Sequence, residues 1–327
     1  MIISKTPFRI SFFGGGTDFK DYYENHGGIV IGATINKYCY ITLRKLPNFF
    51  ENKYRFVWNR IELPNEINKI IHPSIKASIK FFKIKEGLEI IHASDLPSRS
   101  GIGSSSSFSV GLINCLGKLN RKNFSKKNLA NYAINLEQNI MKESVGSQDQ
   151  IWAANGGFNQ INFSKNKYTL NKIKISKAKK DMLSNNLILF FTGKSRYSGI
   201  VEKDKIKNIR KKINYYHEIK EYTVKAKKVF ESKNLNTDEI GLMLNEYWHM
   251  KKKLSNKVTD NNINSIYHEA ISSGALGGKV LGAGGGGFLM FYANDSVQKK
   301  LKKKFNKLTA VKIKFFDKGS EVIFNNE

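Results

Sequence analysis

The chain has 327 residues, of which 40% are hydrophobic and 12% aromatic, enough to exclude a disordered polymer and to fill two domains of ordinary size. No apolar run reaches the roughly 20 residues that span a bilayer, and Lys5 and Arg9 stand where a signal peptide would be apolar, so a cytoplasmic protein with no membrane partner is expected. The formal charge of +28 would suit a nucleic-acid partner, but only eight of the 55 basic residues are arginine and no recognition motif accompanies them, so a specific nucleic-acid role is not expected.

In chain order, β-branched and aromatic residues dominate Ile2 to Phe13 and Gly28 to Leu43, with turns at Gly14-Gly15-Gly16 and His26-Gly27-Gly28. Both segments read as strands. A third apolar run, Leu88 to Ala93, ends at Asp95-Leu96-Pro97, and beyond a serine-rich loop Val110, Ile113, Leu116 and Leu119 recur at helical spacing. Ser125 is a candidate N-cap for a second helix carrying Leu129, Ala133, Leu136 and Ile140, which should end near Gly146. Phe158 to Phe163 alternates like a half-buried strand. Lys165 to Lys180 shows no core pattern, which places a domain boundary near residue 180 and divides the chain into 1–180 and 181–327. The second half opens with a strand over Leu187 to Thr192. Helical patterns follow over 205–233, 237–255 and from the cap residue Asp260 to Gly274, and strands over Phe288 to Tyr292 and Val311 to Phe316 close the chain. Strands and helices in both halves indicate an α+β fold. Lysines over Lys165 to Lys180 and Lys205 to Lys228 read as solvated faces. Cys39 and Cys115 lie singly in apolar stretches and are expected to be buried thiols.

The most informative segment is Leu96 to Phe108, LPSRSGIGSSSSF. Gly101 and Gly103 allow close backbone approach, and the serines lead into a helix whose free N–H groups and dipole favour phosphate. Taken alone, the loop is an anion site or a flexible linker. It is not a P-loop, because Gly277-Gly278-Lys279-Val280 lacks the first glycine and the hydroxyl. Gly282 to Gly287 fits G-x-G-x-x-G but leads into the strand-like FLMFY, where a dinucleotide fold would have a helix.

Three segments in this order, PFRISFFGGGTDF from Pro7, LPSRSGIGSSSSFSVGLIN from Leu96 and GGKVLGAGGGGFLMFY from Gly277, resemble the motifs of the GHMP kinases over essentially the whole chain. In detail they look like the heptose 7-phosphate kinase and fucokinase branch. The resemblance implies two α+β domains with the active site in the cleft between them, and a left-handed β-α-β crossover in the first. It implies ATP and Mg²⁺, with ATP held by Pro97, Arg99, Ser100, Gly101, Ile102, Gly103, Ser104, Ser105 and Ser106, and the metal held by Ser105 and Glu137. Asp149 matches the family's aspartate at the acceptor hydroxyl, with Arg9 beside it to stabilise charge. Chemistry supports that pairing, since a carboxylate can take or orient a hydroxyl proton. Without the resemblance Asp149 could be a helix cap and Arg9 an exposed arginine.

Asp18 matches the aspartate that binds sugar hydroxyls in the family, and Gly16, Thr17, Gly284 and Gly285 are expected beside the substrate. Departures narrow the branch. Gly15-Gly16 stands where galactokinases have a Glu-His pair, and Arg99 replaces the usual glycine of the serine loop. A substrate already phosphorylated needs a second anion clamp, for which Lys194, Ser195 and Arg196 are candidates. The six histidines show no metal spacing, and Trp152, Trp248 and Tyr247 read as core. The function expected is transfer of phosphate from ATP to the anomeric hydroxyl of D-glycero-D-manno-heptose 7-phosphate, giving the 1,7-bisphosphate for surface polysaccharide precursors. A fucokinase is the near alternative and a basic nucleic-acid-binding protein with a kinase-like fold the distant one. A homodimer is compatible with either kinase.

Overall fold

The computed structural model describes residues 1–165, 167–194 and 198–326. Strands β1 (Ile2–Phe13) and β2 (Gly28–Lys45) pair antiparallel along most of their length, with Ile2 opposite Leu43 and Phe13 opposite Ile31. The register shifts between Pro7 and Arg9 and again between Ser11 and Phe13, so β1 bends as it nears the glycine turn. A short helix, α1 (Lys20–His26), lies between the two expected turns, where no element is expected from the sequence. Two shorter strands, β3 (Tyr54–Val57) and β4 (Ile61–Glu62), pair antiparallel, and helix α2 (Pro73–Phe81) then crosses to β5 (Leu88–Ser94), which lies parallel to β3 and antiparallel to β2.

The serine-rich loop links β5 to α3 (Ser104–Leu119), which lies across β1 and β2. Next comes α4 (Lys126–Ile134), capped by Ser125, whose hydroxyl accepts from the Asn128 amide at 3.2 Å. From Asn135 to Ile140 the helix widens into a π turn, with the Met141 amide donating to the Leu136 carbonyl at 2.9 Å. That extra residue breaks the expected stripe. Ile140 turns out to 40% exposure while Glu137 is 1% exposed. After α5 (Gln148–Asn155), β6 (Phe158–Ser164) joins the first half of β2 and pairs with β7 (Lys167–Lys172). β7 is an edge strand whose outer face, Lys167, Thr169 and Asn171, is exposed while Tyr168 and Leu170 are only half-buried, which is why Lys165 to Lys180 shows no strong core periodicity.

Helix α6 (Lys177–Asn185) leads into β8 (Leu187–Phe191). The lysine-rich stretch after it is two helices, α7 (Ser198–Lys207) and α8 (Ile213–Phe230), separated by a 3₁₀ turn at Arg210–Lys212. Then follow α9 (Thr237–Lys253) and α10 (Asn261–Ser272), the latter capped by Asp260 through the Ile263 amide at 2.8 Å. Strands β9 (Gly277–Val280) and β10 (Phe288–Tyr292), helix α11 (Asp295–Lys304) and β11 (Thr309–Val311) complete an antiparallel sheet of order β11-β8-β10-β9.

The end of the chain departs from expectation. The last strand of this sheet stops at Val311, Phe315 makes only an isolated bridge to Ile35, and β12 (Glu321–Asn325) pairs with β1 in the first sheet. The chain therefore crosses the two halves a second time. Between them lies an aromatic seam, Phe12 to Phe230 at 5.7 Å, Phe158 to Phe230 and to Phe315 at 5.2 Å, and Phe13 to Tyr247 at 5.3 Å between ring centroids. Such pairs add about 0.5–1.5 kcal/mol each beyond the area they bury. Below the seam Lys279 of β9 donates to the carbonyls of Ser11 and Phe12 in β1, at 2.8 and 2.9 Å. The walls of the cleft are thus fixed to one another close to the glycine turn.

Candidate active site

Left-handed backbone conformations at Arg99, Gly101 and Gly103 (φ 58°, 85° and 76°) shape the loop from Leu96 to Ser104. Alternation of this kind turns successive N–H groups inward and makes a concave anion site at the start of α3. Arg99 holds this conformation with a side chain, at a cost of about 1–2 kcal/mol relative to glycine. The Arg99 amide donates to Ser104 Oγ at 3.1 Å, and Ser100 Oγ donates to the Pro97 carbonyl at 2.6 Å. Behind the loop, a side chain on Gly101 would begin 2.5 Å from the Leu281 carbonyl, so the two glycine-rich segments lie back to back.

Arg9 leaves β1 just after its first register shift and is only 4% exposed. Its Nε and Nη2 donate to the two carboxylate oxygens of Asp149 at 2.8 and 2.6 Å, and Nη1 donates to the Gly101 carbonyl at 2.6 Å. One guanidinium therefore joins the phosphate loop to the expected acceptor aspartate. Asp149 lies in the first turn of α5, where the helix dipole favours a negative charge. Asp18, 1% exposed, meets the same helix end, with Oδ1 accepting from the Gly16 amide at 2.9 Å and Oδ2 from Gln148 Nε2 at 2.9 Å. Burial raises the Asp18 carboxyl above its ordinary range, and the charge of Asp149 adds to this against the Gly16 and Gln148 hydrogen bonds.

Around Gly15, Ser11 Oγ, Gln148 Nε2 and the Tyr247 hydroxyl all lie 3.8–3.9 Å from where a side chain would begin. Ser11 Oγ and Gln148 Oε1 are buried without a hydrogen-bond partner among the described residues. A patch of underused polar atoms thus borders Asp18.

Two family models match the chain, one described as GHMP kinases N terminal domain over residues 68–157 and one as GHMP kinases C terminal over residues 231–309. The D-glycero-alpha-D-manno-heptose 7-phosphate kinase of Campylobacter jejuni is 31% identical over 323 residues, 95% of this chain and 93% of that protein. The chain belongs to the GHMP kinases. It is thus an ATP-dependent phosphotransferase. The fold agrees with the crystal structure of a D-glycero-D-manno-heptose 1-phosphate kinase from Bacteroides thetaiotaomicron, with a TM-score of 0.80, 24% identity and full coverage of both chains. The bifunctional fucokinase/GDP-fucose pyrophosphorylase of Arabidopsis thaliana is 27% identical over 222 residues, 65% of this chain and 21% of that protein. Among the described residues no helix is long and apolar enough to cross a membrane.

Within this GHMP kinase several expected residues take other parts. The serine joined to Glu137 is Ser106, which donates to Oε2 at 2.9 Å, while Ser105 is exposed one step along the helix start. Gln150 Nε2 donates to the same oxygen, and although the Ser109 hydroxyl lies near enough to favour the ionised form, buried Oε1 makes no hydrogen bond of full geometry among the described residues. A closed-off carboxylate oxygen without a full hydrogen bond fits a cation ligand, so the residues present suit Mg²⁺. The Thr17 hydroxyl lies 2.9 Å from the Gly14 carbonyl and 2.8 Å from that of Ile29, and accepts from the Ile29 amide at 3.0 Å. It pins the glycine turn to β2, with its one proton committed to these carbonyls. Gly285 donates its amide to the Val258 carbonyl at 2.7 Å, and a side chain on Gly284 would begin 2.6 Å from the same oxygen. Both glycines thus pack against Val258. Arg196 and Ser195 lie outside the described residues, and Lys194 is exposed, its ammonium 3.8 Å from Asp260.

Three lysines are buried beside the glycine run, among them Lys205, which lies in a stretch that reads as a solvated face. Lys251 donates to the carbonyls of Val280 and Gly282 at 2.9 and 2.7 Å, and Lys205 to that of Ala283 at 2.5 Å, which with Lys279 braces the glycine run. Burial and the neighbouring cations hold the Lys251 and Lys279 ammoniums well below the usual lysine range. Lysine is so common in this chain that nothing in the sequence marks Lys205 or Lys251, whereas Lys279 stands inside the segment GGKVLGAGGGG.

Glu137 yields a pH prediction for the metal-free protein. Burial pushes its carboxyl up to about 7 from an ordinary 4.5. Between these values the folded state binds the extra proton, so the contribution is fully present below pH 4.5 and is lost as pH rises towards 7, on the order of 3 kcal/mol. Urea unfolding with chelator should show this loss between pH 4.5 and 7. Glu137→Gln should flatten it and abolish any stabilisation by Mg²⁺, and an unchanged slope would remove Glu137 as its source.

Proposed function

We propose that this GHMP kinase is a cytoplasmic sugar kinase that transfers the γ-phosphoryl group of ATP to the anomeric hydroxyl of D-glycero-D-manno-heptose 7-phosphate. The product would be the 1,7-bisphosphate, a precursor for surface polysaccharide. The observation that carries the reading is the Arg9 fork, which ties Asp149 to the phosphate loop while Asp18 and Gln148 flank it at the same helix end.

The acceptor hydroxyl would sit against Asp149, each of whose oxygens keeps a lone pair beyond the one given to Arg9. Asp149 orients that hydroxyl and accepts its proton as the new bond forms, and Arg9 keeps the carboxylate fixed throughout. Asp18, held by the Gly16 amide and Gln148, accepts a further sugar hydroxyl. The N–H groups of the Arg99 to Ser104 loop hold the ATP phosphates. Glu137 with Ser105 or Ser106 would hold Mg²⁺, which when bound neutralises charge on the β- and γ-phosphoryl oxygens. For the 7-phosphate, Arg196 is the clamp that the sequence nominates.

The 31% identical relative, itself named as a heptose 7-phosphate kinase, supports this acceptor. The 27% identity to a fucokinase over part of the chain supports free fucose as the second reading. The deciding experiment measures ATP consumption across free sugars and sugar phosphates, with NMR of the product to locate the new phosphate. Heptose 7-phosphate should give the highest kcat/KM, with phosphate added at C1. Efficient phosphorylation of fucose with no use of heptose 7-phosphate would overturn the proposal.

A further inference from the structure

Helix α7 brings a carboxylate to the cleft from the C-terminal half, and it takes no part in the Arg9–Asp149 or Asp18–Gln148 pairs. Glu202 Oε2 is closed off from solvent and has no hydrogen-bond partner among the described residues. Three residues on, and therefore on the same face of the helix, Lys205 is tied to the Ala283 carbonyl. That tie fixes the face against the glycine run. Tyr216, whose hydroxyl donates to the Lys205 carbonyl at 3.3 Å, sets its ring 3.2 Å from where a side chain on Gly16 would begin, so α7 lies beside the turn whose Gly16 amide holds Asp18, within reach of the charges of Asp18, Asp149 and Arg9. Desolvation raises the Glu202 carboxyl above its usual range, although the residue as a whole is half-buried and only Oε2 is closed off, and burial lowers the Lys205 ammonium.

A closed-off acid oxygen with no donor is costly unless something supplies one. Phosphate oxygens carry no proton to give such an oxygen, so the charged end of ATP or of a sugar phosphate does not satisfy it. A sugar hydroxyl can, since it carries the one O–H that such an oxygen lacks. Asp18 and Gln148 already receive the acceptor from the N-terminal side. A partner on α7 would complete the grip from the other.

We infer that Glu202 accepts a hydrogen bond from one hydroxyl of the acceptor sugar and so determines which hydroxyl pattern is taken, opposite Asp18. This rests on the sugar-kinase reading and adds to it a specificity contact from the second half of the chain. The contact is made to the sugar and not to the transferred phosphoryl group. It should therefore act mainly on acceptor binding.

The test compares wild type, Glu202→Gln and Glu202→Ala on the preferred sugar and on its set of monodeoxy analogues. Glu202→Gln should raise the acceptor KM about 10-fold and Glu202→Ala about 100-fold, with the KM for ATP and the slow hydrolysis of ATP without acceptor unchanged within about twofold. One deoxy analogue, rejected about 100-fold by wild type, should be treated by Glu202→Ala nearly as well as the parent sugar. Circular dichroism and unfolding midpoints identify any variant that fails to fold, and Glu202→Gln, equal in size, carries the test if the alanine variant does. Retention of every wild-type preference among the analogues would overturn the inference, as would an ATP KM that rises in step with the acceptor KM, the mark of a merely loosened cleft. If wild type phosphorylates no sugar at all, the sugar reading falls and this inference with it. Sugar turnover with an unmoved acceptor KM sinks the inference alone.

Discussion

Asp149→Asn should lower kcat by about 10²-fold or more, the scale lost with a general base, while the fold survives. The loss has two parts. The amide cannot accept a proton, and one of its ends becomes an NH₂ group facing the Arg9 fork, where two donors now oppose each other. Arg9 is fixed by the Gly101 carbonyl and cannot swing away freely, so the variant side chain must turn and leave the acceptor hydroxyl without its partner. Single-turnover assays at saturating ATP and acceptor measure the chemical step directly. Near-normal turnover would remove Asp149 from the mechanism. A large rise in acceptor KM with unchanged kcat would make it a binding residue instead.

The strands and the anion loop are legible because local chemistry dictates them. Ile2 to Phe13 is apolar and β-branched enough to form a strand in almost any context, and the glycines at 101 and 103 announce the left-handed turns that the loop adopts. Asp149 and Arg9 stand 140 residues apart, and only the family resemblance joins them before the structure does. The π turn at Asn135–Ile140 escapes because helical periodicity presumes 3.6 residues per turn, and one added residue is what carries Glu137 inward and Ile140 outward. The same small rotation of a helix start separates Ser105 from Ser106, a distinction that spacing cannot make. Gln148 stands inside the segment that yields Asp149, yet an amide has no signature until its carboxylate partner is placed. Tyr247 is buried as expected for a core residue, and only the fold shows that its hydroxyl reaches the rim of the glycine turn.

Gly146 shows how closely the acceptor side is fitted, and Gly146→Ala should lower kcat/KM for the acceptor by about 10²-fold. A methyl group at this position would begin 1.8 Å from Asp18 Oδ2 and 2.6 Å from its Cγ. No rotamer change at Gly146 relieves such an overlap, because Cβ is fixed by the backbone. Either the Asp18 carboxylate leaves the Gly16 amide and Gln148, or the segment before α5 shifts and carries Asp149 with it. Displacement of a reacting group by about 1 Å is worth about 10²-fold in rate. The two outcomes separate kinetically. If only Asp18 moves, the acceptor KM rises while kcat and the KM for ATP hold, and if α5 moves, kcat falls as it does in Asp149→Asn. Wild-type kinetics in a folded Gly146→Ala protein would show that Asp18 does not hold the acceptor.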